Sequence, residues 1–412
     1  MIRTPKPIPH PAPDARRRTS AARRGIGRAA VATVVGLATL AVPVASAAAA
    51  HSDTGTRGFG KADLQRGLDG IVRLDGVVGA EATLVDGGQR THARSGTAEL
   101  GTDRPVPHQG YFRMGSNTKT FVSTVILQLV EERRLRLDDT VERWLPGVVQ
   151  GNGNDGNKIT VRHLLNHTAG LPDYVAHVPV LRSAESFQQH RYDAYTPHQL
   201  VALAMRDRPL FEPGARFSYS NTGYVLAGMI VKQVTGNEWD EEVRTRITEP
   251  LRLRNTYSPG KRFGLPEPHA RGYQQFEPGG QLVNSTRLSM TWGDSAGDLV
   301  TTSHDLTRFW QGLLGGKLLA PKSLAEMKKT VPAPVEGSTV NERAGLGLFW
   351  RGLSCGGGSW GHGGTTLGHL NTNAFTEKGE RGAIVLRSTN LARGDRDART
   401  EALLDAALCA QR

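Results

Sequence analysis

The sequence predicts an α/β (α+β) fold in which strands from both ends of the chain form one sheet and a helical lobe is inserted between them. Near the N-terminus, residues 78–98 have the pattern of a hairpin that turns at Asp86-Gly87-Gly88. The lobe is predicted at about 138–290, where turn residues are frequent and alternating runs are few. Strand signals return only near the C-terminus, at 346–353, 370–375 and 383–388. Since the two strand-rich ends enclose the helical segment, they are expected to pair in one sheet.

Three further segments have the pattern of helices. Apolar residues recur at helical spacing from Leu64 to Ile71. A second helix is predicted over 118–137, where apolar residues occur on nearly every side, so it should be buried at the centre of the fold. A final helix is predicted over about 395–410.

The composition is that of a folded protein. Of the 412 residues, 38% are hydrophobic and 22% are charged, which permits a packed core and excludes wholesale disorder. The chain contains 49 Gly and 22 Pro, which suits a loop-rich enzyme better than a helical bundle. Beyond the N-terminal segment, no stretch is apolar enough to span a bilayer.

The first 47 residues have the features of a secretory signal peptide. A basic block of six arginines extends from Arg16 to Arg28, an apolar run follows at 29–44, and Ala45-Ser46-Ala47 provides a cleavage site. The sequence therefore predicts a secreted protein. An uncleaved membrane anchor is the alternative, and the choice between Sec and twin-arginine export stays open.

Removal of the signal peptide at 1–47 would leave a flexible leader at 48–58 and one folded domain at 59–412, with no stable membrane span. The signal peptide holds eight basic residues and one acidic residue, so its removal lowers the net charge from +12 to about +5. Aromatic residues are not interleaved with basic runs in the remaining chain. Nucleic acid is therefore not expected as a partner.

Only two cysteines occur, Cys355 and Cys409. In an exported protein such a pair is more naturally a disulfide than a redox or metal site. There is no C-x-x-C and no cysteine–histidine cluster, so no zinc site is expected. His163 and His167 are four apart on a predicted helix, but they lack the Glu of H-E-x-x-H, and no metal is expected there either.

The motif Ser116-Asn117-Thr118-Lys119 stands at the start of the predicted central helix. Residues three apart on a helix share a face, so the serine and lysine side chains lie within reach of each other. The helix macrodipole and partial burial both lower the pKa of a lysine at this position. A neutral lysine can accept the serine proton, so Ser116 is the candidate nucleophile and Lys119 its base.

Two further motifs follow along the chain. Tyr219 and Asn221 in FSYSNTGY place a phenol and an amide at alternate positions, which can direct both to one cleft. The segment GHGGTTLGH places His362 before Gly364 and Thr365, just ahead of a predicted strand. Glycines there allow the backbone to approach an acyl group closely, and an N–H can complete an oxyanion hole. S-x-x-K alone occurs often by chance, but the ordered set S-x-x-K, Y-x-N and H-x-G does not.

On these motifs the chain resembles the serine DD-peptidases and class C β-lactamases, which are penicillin-recognising serine hydrolases. It is most similar to exported D-alanyl-D-alanine carboxypeptidases, and the resemblance covers nearly all of residues 60–410. It rests on the stretches FRMGSNTKTF, LRLDDTVERWLP, ITVRHLLNHTAGLPDY, FSYSNTGYVLAGMI, MTWGDSAGDLVTTSHDL and GHGGTTLGH. The resemblance implies a mixed antiparallel sheet with flanking helices beside an all-helical lobe.

The resemblance also implies roles for the motif residues. Ser116 would form the acyl-enzyme, while Lys119 and Tyr219 would move its proton and that of the leaving amine. Asn221 would bind the amide of the substrate's side chain. His362 stands where many relatives have Lys, and it would face Tyr219 and tune its electrostatics.

The same resemblance implies the surroundings of the reacting carbonyl. The N–H groups of Ser116 and Thr365 would form the oxyanion hole, Gly364 would allow close approach, and Trp292 would line the cleft. No cofactor is implied. The expected partner is a small substrate, which is a peptide, a β-lactam or an ester, and the expected oligomeric state is a monomer.

The first interpretation of the function is a D-alanyl-D-alanine carboxypeptidase that acts on cell-wall peptides. A β-lactamase or esterase on the same fold is a second interpretation, which differs mainly in how fast water reaches the acyl-enzyme. A third interpretation is a non-catalytic penicillin- or peptide-binding protein. The complete motif set argues against the third, although fold alone does not decide function.

The chain departs from the carboxypeptidase pattern at two positions. Relatives usually have Thr after the histidine of H-x-G and Arg on the strand before the first cysteine, and both bind the terminal carboxylate. Here these positions are Gly363 and Phe349, with Arg351 on the same strand face as Phe349. The sequence therefore predicts weak discrimination between a free carboxylate and its ester or amide.

Overall fold

The structure is a computed structural model, and it describes residues 58–334, 341–392 and 398–410. The predicted signal peptide and all but the last residue of the predicted leader lie outside these residues. Within the described residues, no helix is both long enough and apolar enough to cross a membrane.

The secondary-structure elements are numbered in chain order over the described residues. The helices are α1 (Lys61–Asp75), α2 (Thr118–Glu131), α3 (Val141–Trp144), α4 (Val161–Leu165), α5 (Ala184–His190), α6 (Pro197–Ala204), α7 (Asn221–Thr235), α8 (Trp239–Val243), α9 (Asp294–Gly297), α10 (Ser303–Leu314), α11 (Pro321–Met327) and α12 (Ala398–Cys409). Short 3-10 turns occupy Gly115–Asn117, Tyr174–His177 and Pro179–Leu181, and a π turn occupies Arg244–Thr248. The strands are β1 (Gly79–Asp86), β2 (Gln89–Gly96), β3 (Phe112–Arg113), β4 (Gln150–Gly151), β5 (Asn154–Asp155), β6 (Tyr273–Gln275), β7 (Leu282–Asn284), β8 (Val300–Thr301), β9 (Val331–Pro332), β10 (Glu342–Ala344), β11 (Phe349–Gly352), β12 (Gly358–Gly361), β13 (Gly364–Thr366), β14 (His369–Phe375), β15 (Arg381–Arg387) and β16 (Thr389–Asn390).

The central sheet is built from both ends of the chain. Within the described residues it has nine strands, in the order β2-β1-β15-β14-β12-β11-β10-β9, with β13 paired to β14. Every pairing in it is antiparallel. The N-terminal strand β1 lies between β2 and the C-terminal strand β15, so that Ala82 is opposite both Ala93 and Val385. The predicted fold class is therefore confirmed.

Glycine conformations set the ends of two strands. The β1–β2 hairpin turns at the predicted position, where Gly87 (φ 55°) and Gly88 (φ 89°) both adopt the left-handed backbone that two-residue hairpin turns require. Strand β11 begins at Phe349, later than the prediction of 346–353. The delay arises because Gly347 (φ 79°) makes a turn just before the strand.

Helices α1 and α12 cover one face of the sheet. The apolar residues of α1 from Leu64 to Ile71 are fully buried in one cluster with Leu404 of α12. Burial of each such side chain stabilises the fold by about 1.5–3 kcal/mol. At the end of α12, Cys409 forms a disulfide with Cys355 in the loop after β11. The bridge joins the terminal helix to the sheet.

Helix α2 runs through the centre of the fold, as predicted, but it ends at Glu131 and not at residue 137. It ends there because Arg133 adopts a left-handed conformation (φ 58°), and the N–H of Arg134 bonds back to the carbonyl of Leu129 at 3.0 Å. In the lobe, helices α3, α4, α6 and α8 pack against α7, which also contacts α2, and α5 packs against the 3-10 turn Pro179–Leu181. The lobe also contains the short ribbon β4–β5, so it is mostly helical.

Candidate active site

The three predicted motifs meet at one cleft where the lobe faces the sheet. Its volume is about 900 Å³. The cleft is lined by Ser116, which lies just before α2, and by Tyr219 and Asn221, which lie just before and at the start of α7. His362, in the loop before β13, and Trp292 line it as well. The structure therefore brings together residues that the sequence separates by more than two hundred positions.

Ser116 lies in the 3-10 turn that leads directly into α2. Gly115 before it has φ 54°, and a Cβ built on it would lie 2.9 Å from the backbone nitrogen of Thr365. A side chain at position 115 is therefore excluded both by conformation and by space. One helical turn further on, the Nζ of Lys119 donates to the Oγ of Ser116 at 3.0 Å.

Lys119 is fully buried and makes three polar contacts. Besides Ser116, its Nζ donates to the Oδ1 of Asn221 at 2.7 Å and to the carbonyl of Ala296 at 2.7 Å. Burial lowers the pKa of Lys119 to about 7, against the charge of Asp173, which raises it. A substantial fraction of this lysine is therefore neutral near pH 7 and able to accept a proton.

Tyr219 stands beside the lysine, with its ring centre 4.9 Å from the Nζ of Lys119. Burial raises the pKa of Tyr219 well above its usual value, and a hydrogen bond with the side chain of Ser116 opposes that rise. The phenol therefore stays protonated. Its ring stacks on the imidazole of His167, with the centroids 4.2 Å apart.

His167 and Asp173 belong to the site, although the sequence did not assign them a catalytic function. His167 has φ 60°, and its Nδ1 accepts the N–H of Ser220 at 3.2 Å. Asp173 accepts from the Nδ2 of Asn221 at 2.8 Å through Oδ2, while its Oδ1 caps the following 3-10 turn. Both lie in the loop after α4, from which His167 contacts Tyr219 and Asp173 contacts Asn221.

Asn221 has two contacts besides the substrate-binding role that the family resemblance implies, and that role stays a prediction. Its oxygen accepts from Lys119, and its Nδ2 donates to Asp173. One Nδ2 hydrogen remains to contact a substrate, so the residue serves first to hold the lysine.

His362 is neutral in this site. Its Nδ1 lies 2.6 Å from the carbonyl of Gly363, so Nδ1 carries the proton and Nε2 the lone pair. Within the described part of the chain, Nε2 has no hydrogen-bond partner. Burial, with a smaller contribution from the charge of Lys119, lowers the pKa of His362 to about 3. The imidazole faces Tyr219 at a centroid distance of 6.3 Å, as expected.

The segment that carries Thr365 lies directly against the turn that carries Ser116. A Cβ built on Gly364 would lie 1.9 Å from the carbonyl oxygen of Met114, so only glycine fits there. This close contact brings the N–H of Thr365 next to the 3-10 turn that carries Ser116, where an oxyanion hole is expected. Trp292 lines the cleft, and its backbone carbonyl accepts a hydrogen bond from the hydroxyl of Tyr174 at 2.7 Å.

Over residues 58–334, 341–392 and 398–410, no group of three or more His, Cys, Asp or Glu side chains is arranged to hold a metal ion. His163 and His167 do not share a helix, contrary to the prediction, because α4 ends at Leu165. His163 instead accepts from the backbone N–H of Thr160 at 3.3 Å and caps α4.

Comparison with known proteins assigns this geometry to one family. The sequence profile of the family described as Beta-lactamase matches residues 65–408. Among solved structures, the chain is similar to a D-stereospecific amidohydrolase from Streptomyces sp., with 40% identity, a TM-score of 0.78 and coverage of 85% of this chain and 99% of that one. It is also similar to D-amino acid amidase from Ochrobactrum anthropi SV3, with 30% identity, a TM-score of 0.74 and coverage of 85% and 97%.

Curated relatives include two penicillin-binding proteins. Penicillin-binding protein 4 of Amycolatopsis lactamdurans is 27% identical over 321 residues, which cover 74% of this chain and 75% of that protein. Penicillin-binding protein 4* of Bacillus subtilis (strain 168) is 33% identical over 168 residues, or 40% of this chain. That match spans only 34% of the length of the Bacillus protein.

Proposed function

Because the chain belongs to the β-lactamase family of serine hydrolases, we propose that it hydrolyses amides and esters of D-amino acids through an acyl-enzyme at Ser116. The observation that carries this proposal is the 3.0 Å contact between Ser116 and a buried lysine whose pKa is about 7. The preference for D-configured substrates is supported by the likeness to the D-stereospecific amidohydrolase and the D-amino acid amidase.

In the proposed acylation, neutral Lys119 accepts the proton of Ser116 as Oγ attacks the substrate carbonyl. The N–H groups of Ser116 and Thr365 bind the oxyanion that develops. As the C–N bond breaks, Tyr219 donates its proton to the leaving nitrogen, and the Lys119 ammonium returns a proton to Tyr219. Water then attacks the acyl-enzyme ester, and its proton passes to neutral Lys119. As the bond to Oγ breaks, the Lys119 ammonium gives that proton to Oγ, so the serine hydroxyl is restored and the acid product leaves.

The environment of Arg351 supports an amide or ester substrate over a free carboxylate. Its guanidinium lines the cleft and contacts Glu342 at 3.0 Å and Glu401 at 3.5 Å. A carboxylate of the substrate would have to compete with these two carboxylates for the same donors. Gly363 adds no hydroxyl that would compensate.

The test is a comparison of kcat/KM for a D-amino acid amide, its L enantiomer, a D-alanyl-D-alanine peptide and the C-terminal amide of that peptide. We expect the D-amide to be preferred over the L-amide by about 10²-fold, and the peptide amide to react as well as the free acid. Ser116→Ala is the control for background hydrolysis. A preference for the free acid of about a thousandfold, or about 4 kcal/mol, would contradict the proposal.

A D-alanyl-D-alanine carboxypeptidase is the second candidate, and the likeness to two penicillin-binding proteins favours it. A β-lactamase on the same site would differ in its deacylation rate. Mass spectrometry with a β-lactam, followed over time, separates these two. A persistent adduct identifies the peptidase-like enzyme and a transient adduct the β-lactamase.

We also propose that the protein is secreted after loss of residues 1–47, with a leader at 48–58 and the hydrolase domain at 59–412. The support is the basic, apolar and Ala45-Ser46-Ala47 pattern of the sequence. N-terminal sequencing of the protein from culture supernatant is expected to begin at or near Ala48. Detection in membranes alone, with Met1 retained, would contradict the proposal.

A further inference from the structure

Three buried asparagines lie beneath the turn that carries the nucleophile. Asn117 follows Ser116 directly, while Asn371 and Asn373 extend toward it from β14. Their exposed fractions are 0%, 2% and 5%. Because an unpaired buried polar group destabilises a fold, three amides at one place require a full set of partners.

Asn371 joins the two segments that carry the proposed oxyanion donors. Its Nδ2 donates to the carbonyl of Met114 at 3.1 Å and to the carbonyl of Gly364 at 3.3 Å. Met114 lies two residues before Ser116, and Gly364 lies one residue before Thr365. One side-chain amide therefore bridges the backbone on both sides of the expected oxyanion.

Asn373 holds the histidine of the same segment. Its Oδ1 accepts the N–H of His362 at 3.1 Å, and its Nδ2 donates to the carbonyl of His362 at 2.6 Å. Asn117 links the two strand residues, since its Nδ2 donates to Asn371 and its Oδ1 accepts from Asn373 at 2.9 Å. All six polar atoms of the three side chains are thus paired with one another or with these backbone groups.

Glycines bring these groups into close contact. A Cβ on Gly364 would lie 2.7 Å from the Nδ2 of Asn371, and a Cβ on Gly361 would lie 2.3 Å from the carbonyl of Asn373. An apolar side chain could fill the same space. An apolar side chain could not bind the carbonyl groups of Met114 and Gly364. Those two hydrogen bonds set the separation of the segments that carry Ser116 and Thr365.

We propose that Asn117, Asn371 and Asn373 form a positioning network that sets the distance between the N–H groups of Ser116 and Thr365. The inference rests on the proposed acyl transfer at Ser116. Asn371 lines the cleft, but its amide and those of Asn117 and Asn373 are already paired, so we expect none of the three to bind the substrate directly. The network acts on the oxyanion that forms between the two N–H groups, so its loss lowers kcat and leaves KM nearly unchanged.

The test compares Asn371→Leu with Asn154→Leu in the full-length protein. Leucine has the branched shape of asparagine, with methyl groups in place of the amide oxygen and nitrogen, and it has no hydrogen-bonding group. Asn154 is a matched control, because it is also buried and its Nδ2 donates to two carbonyls, those of Gly151 and Asp207, at 3.0 and 2.9 Å. The readouts are kcat and KM for an ester substrate, the rate of Ser116 labelling by a fluorophosphonate, and the affinity for a boronic acid that mimics the tetrahedral intermediate.

Asn371→Leu is expected to lower kcat and labelling about 10²-fold, the effect of losing one oxyanion donor, and to weaken boronic-acid binding in parallel. Its KM should change by less than about threefold. Asn154→Leu should lose comparable thermal stability and keep its kcat. Equal kcat values for the two variants, or a loss in Asn371→Leu that is confined to KM, would overturn the inference.

Two outcomes need separate treatment. If Asn371→Leu does not fold, Asn371→Ser keeps one donor but shortens its reach, and the same readouts with the same limits apply to it. A wild type that is labelled at Ser116 but does not hydrolyse D-amino acid amides contradicts the proposed substrate class and leaves the comparison of variants intact. A folded wild type that is not labelled contradicts both.

Discussion

Asp173 accepts a hydrogen bond from the side-chain amide of Asn221 at 2.8 Å. This contact decides which end of the amide faces Lys119, since the oxygen of Asn221 accepts from the Nζ of Lys119 at 2.7 Å. Burial lowers the pKa of Lys119 to about 7, and the charge of Asp173 opposes that shift. Asp173 therefore both orients the amide and adjusts the strength of the base.

The first prediction concerns the pH dependence of kcat/KM. Since neutral Lys119 is the active form, the activity of the wild type should rise with pH and reach half its plateau near pH 7. Asp173→Asn keeps an acceptor for Asn221 but removes the charge that raises the lysine pKa. The acidic limb of the profile should therefore move to lower pH. Asp193→Asn, on the exposed surface, is the control, and a limb that stays in place or moves upward would refute this role for Asp173.

The second prediction contrasts two neighbouring glycines. A Cβ on Gly364 would lie 1.9 Å from the carbonyl of Met114, whereas a Cβ on Gly363 would lie 3.4 Å from its nearest neighbour. Gly364→Ala should therefore lower kcat by about 10²-fold or more, because the segment that carries Thr365 must shift away from Ser116. Gly363→Ala should retain activity. Steady-state kinetics of both variants provides the measurement, and equal losses would contradict the expected geometry.

A third prediction follows from the free space at Gly363. Gly363→Thr should fold and should add a hydroxyl at the edge of the cleft. A hydrogen bond to a charged group is worth roughly 1.5–3 kcal/mol, or about ten- to a hundredfold in kcat/KM. The ratio of kcat/KM for a D-alanyl-D-alanine peptide to that for its amide should rise by that factor. An unchanged ratio would mean that the carboxylate does not approach position 363.

A fourth prediction concerns His167, whose ring stacks on that of Tyr219. His167→Asn keeps a residue type that tolerates the left-handed backbone (φ 60°) but removes the ring that stacks on Tyr219. We expect kcat to fall by roughly tenfold to a hundredfold, because the phenol is no longer held in place. His163→Asn, which changes a histidine that caps α4, should keep its kcat. Measurement of kcat for both variants decides between two explanations. Either the ring of His167 holds Tyr219 in place, or the substitution destabilises the loop in general.

A fifth prediction concerns the disulfide. The bridge between Cys355 and Cys409 closes a loop with a sequence separation of 54 residues, which in the chain-entropy model stabilises the fold by about 4 kcal/mol. The double variant Cys355→Ser/Cys409→Ser should unfold at a lower urea concentration and retain kcat, since neither cysteine lines the cleft. Alkylation of two free thiols in the non-reduced protein would contradict the assignment.

The parts of the site that the sequence predicts are those set by local geometry. The contact between Lys119 and Ser116 follows from a spacing of three residues at the start of a helix, and the hairpin turn follows from Gly87 and Gly88. The end of α2 was not predicted, because apolar residues continue to Leu137 while the backbone of Arg133 already leaves the helix.

Long-range contacts account for the remainder. Asp173 and Asn221 are 48 residues apart, and Asn117 and Asn371 are 254 apart, so no local pattern relates them. A signal was nevertheless present in β14. Asn371 and Asn373 are two residues apart, so they share one face of a strand that is otherwise suited to a core. Buried polar residues at such positions indicate hydrogen-bonded partners elsewhere in the fold.

Mass spectrometry of the intact protein treated with a fluorophosphonate decides whether Ser116 is the nucleophile. We expect a single phosphonyl adduct, which peptide mapping assigns to Ser116. We expect no adduct on a Ser116→Ala variant that unfolds at the same temperature as the wild type. An unlabelled but folded wild type, or the same adduct on Ser116→Ala, would show that Ser116 is not the nucleophile.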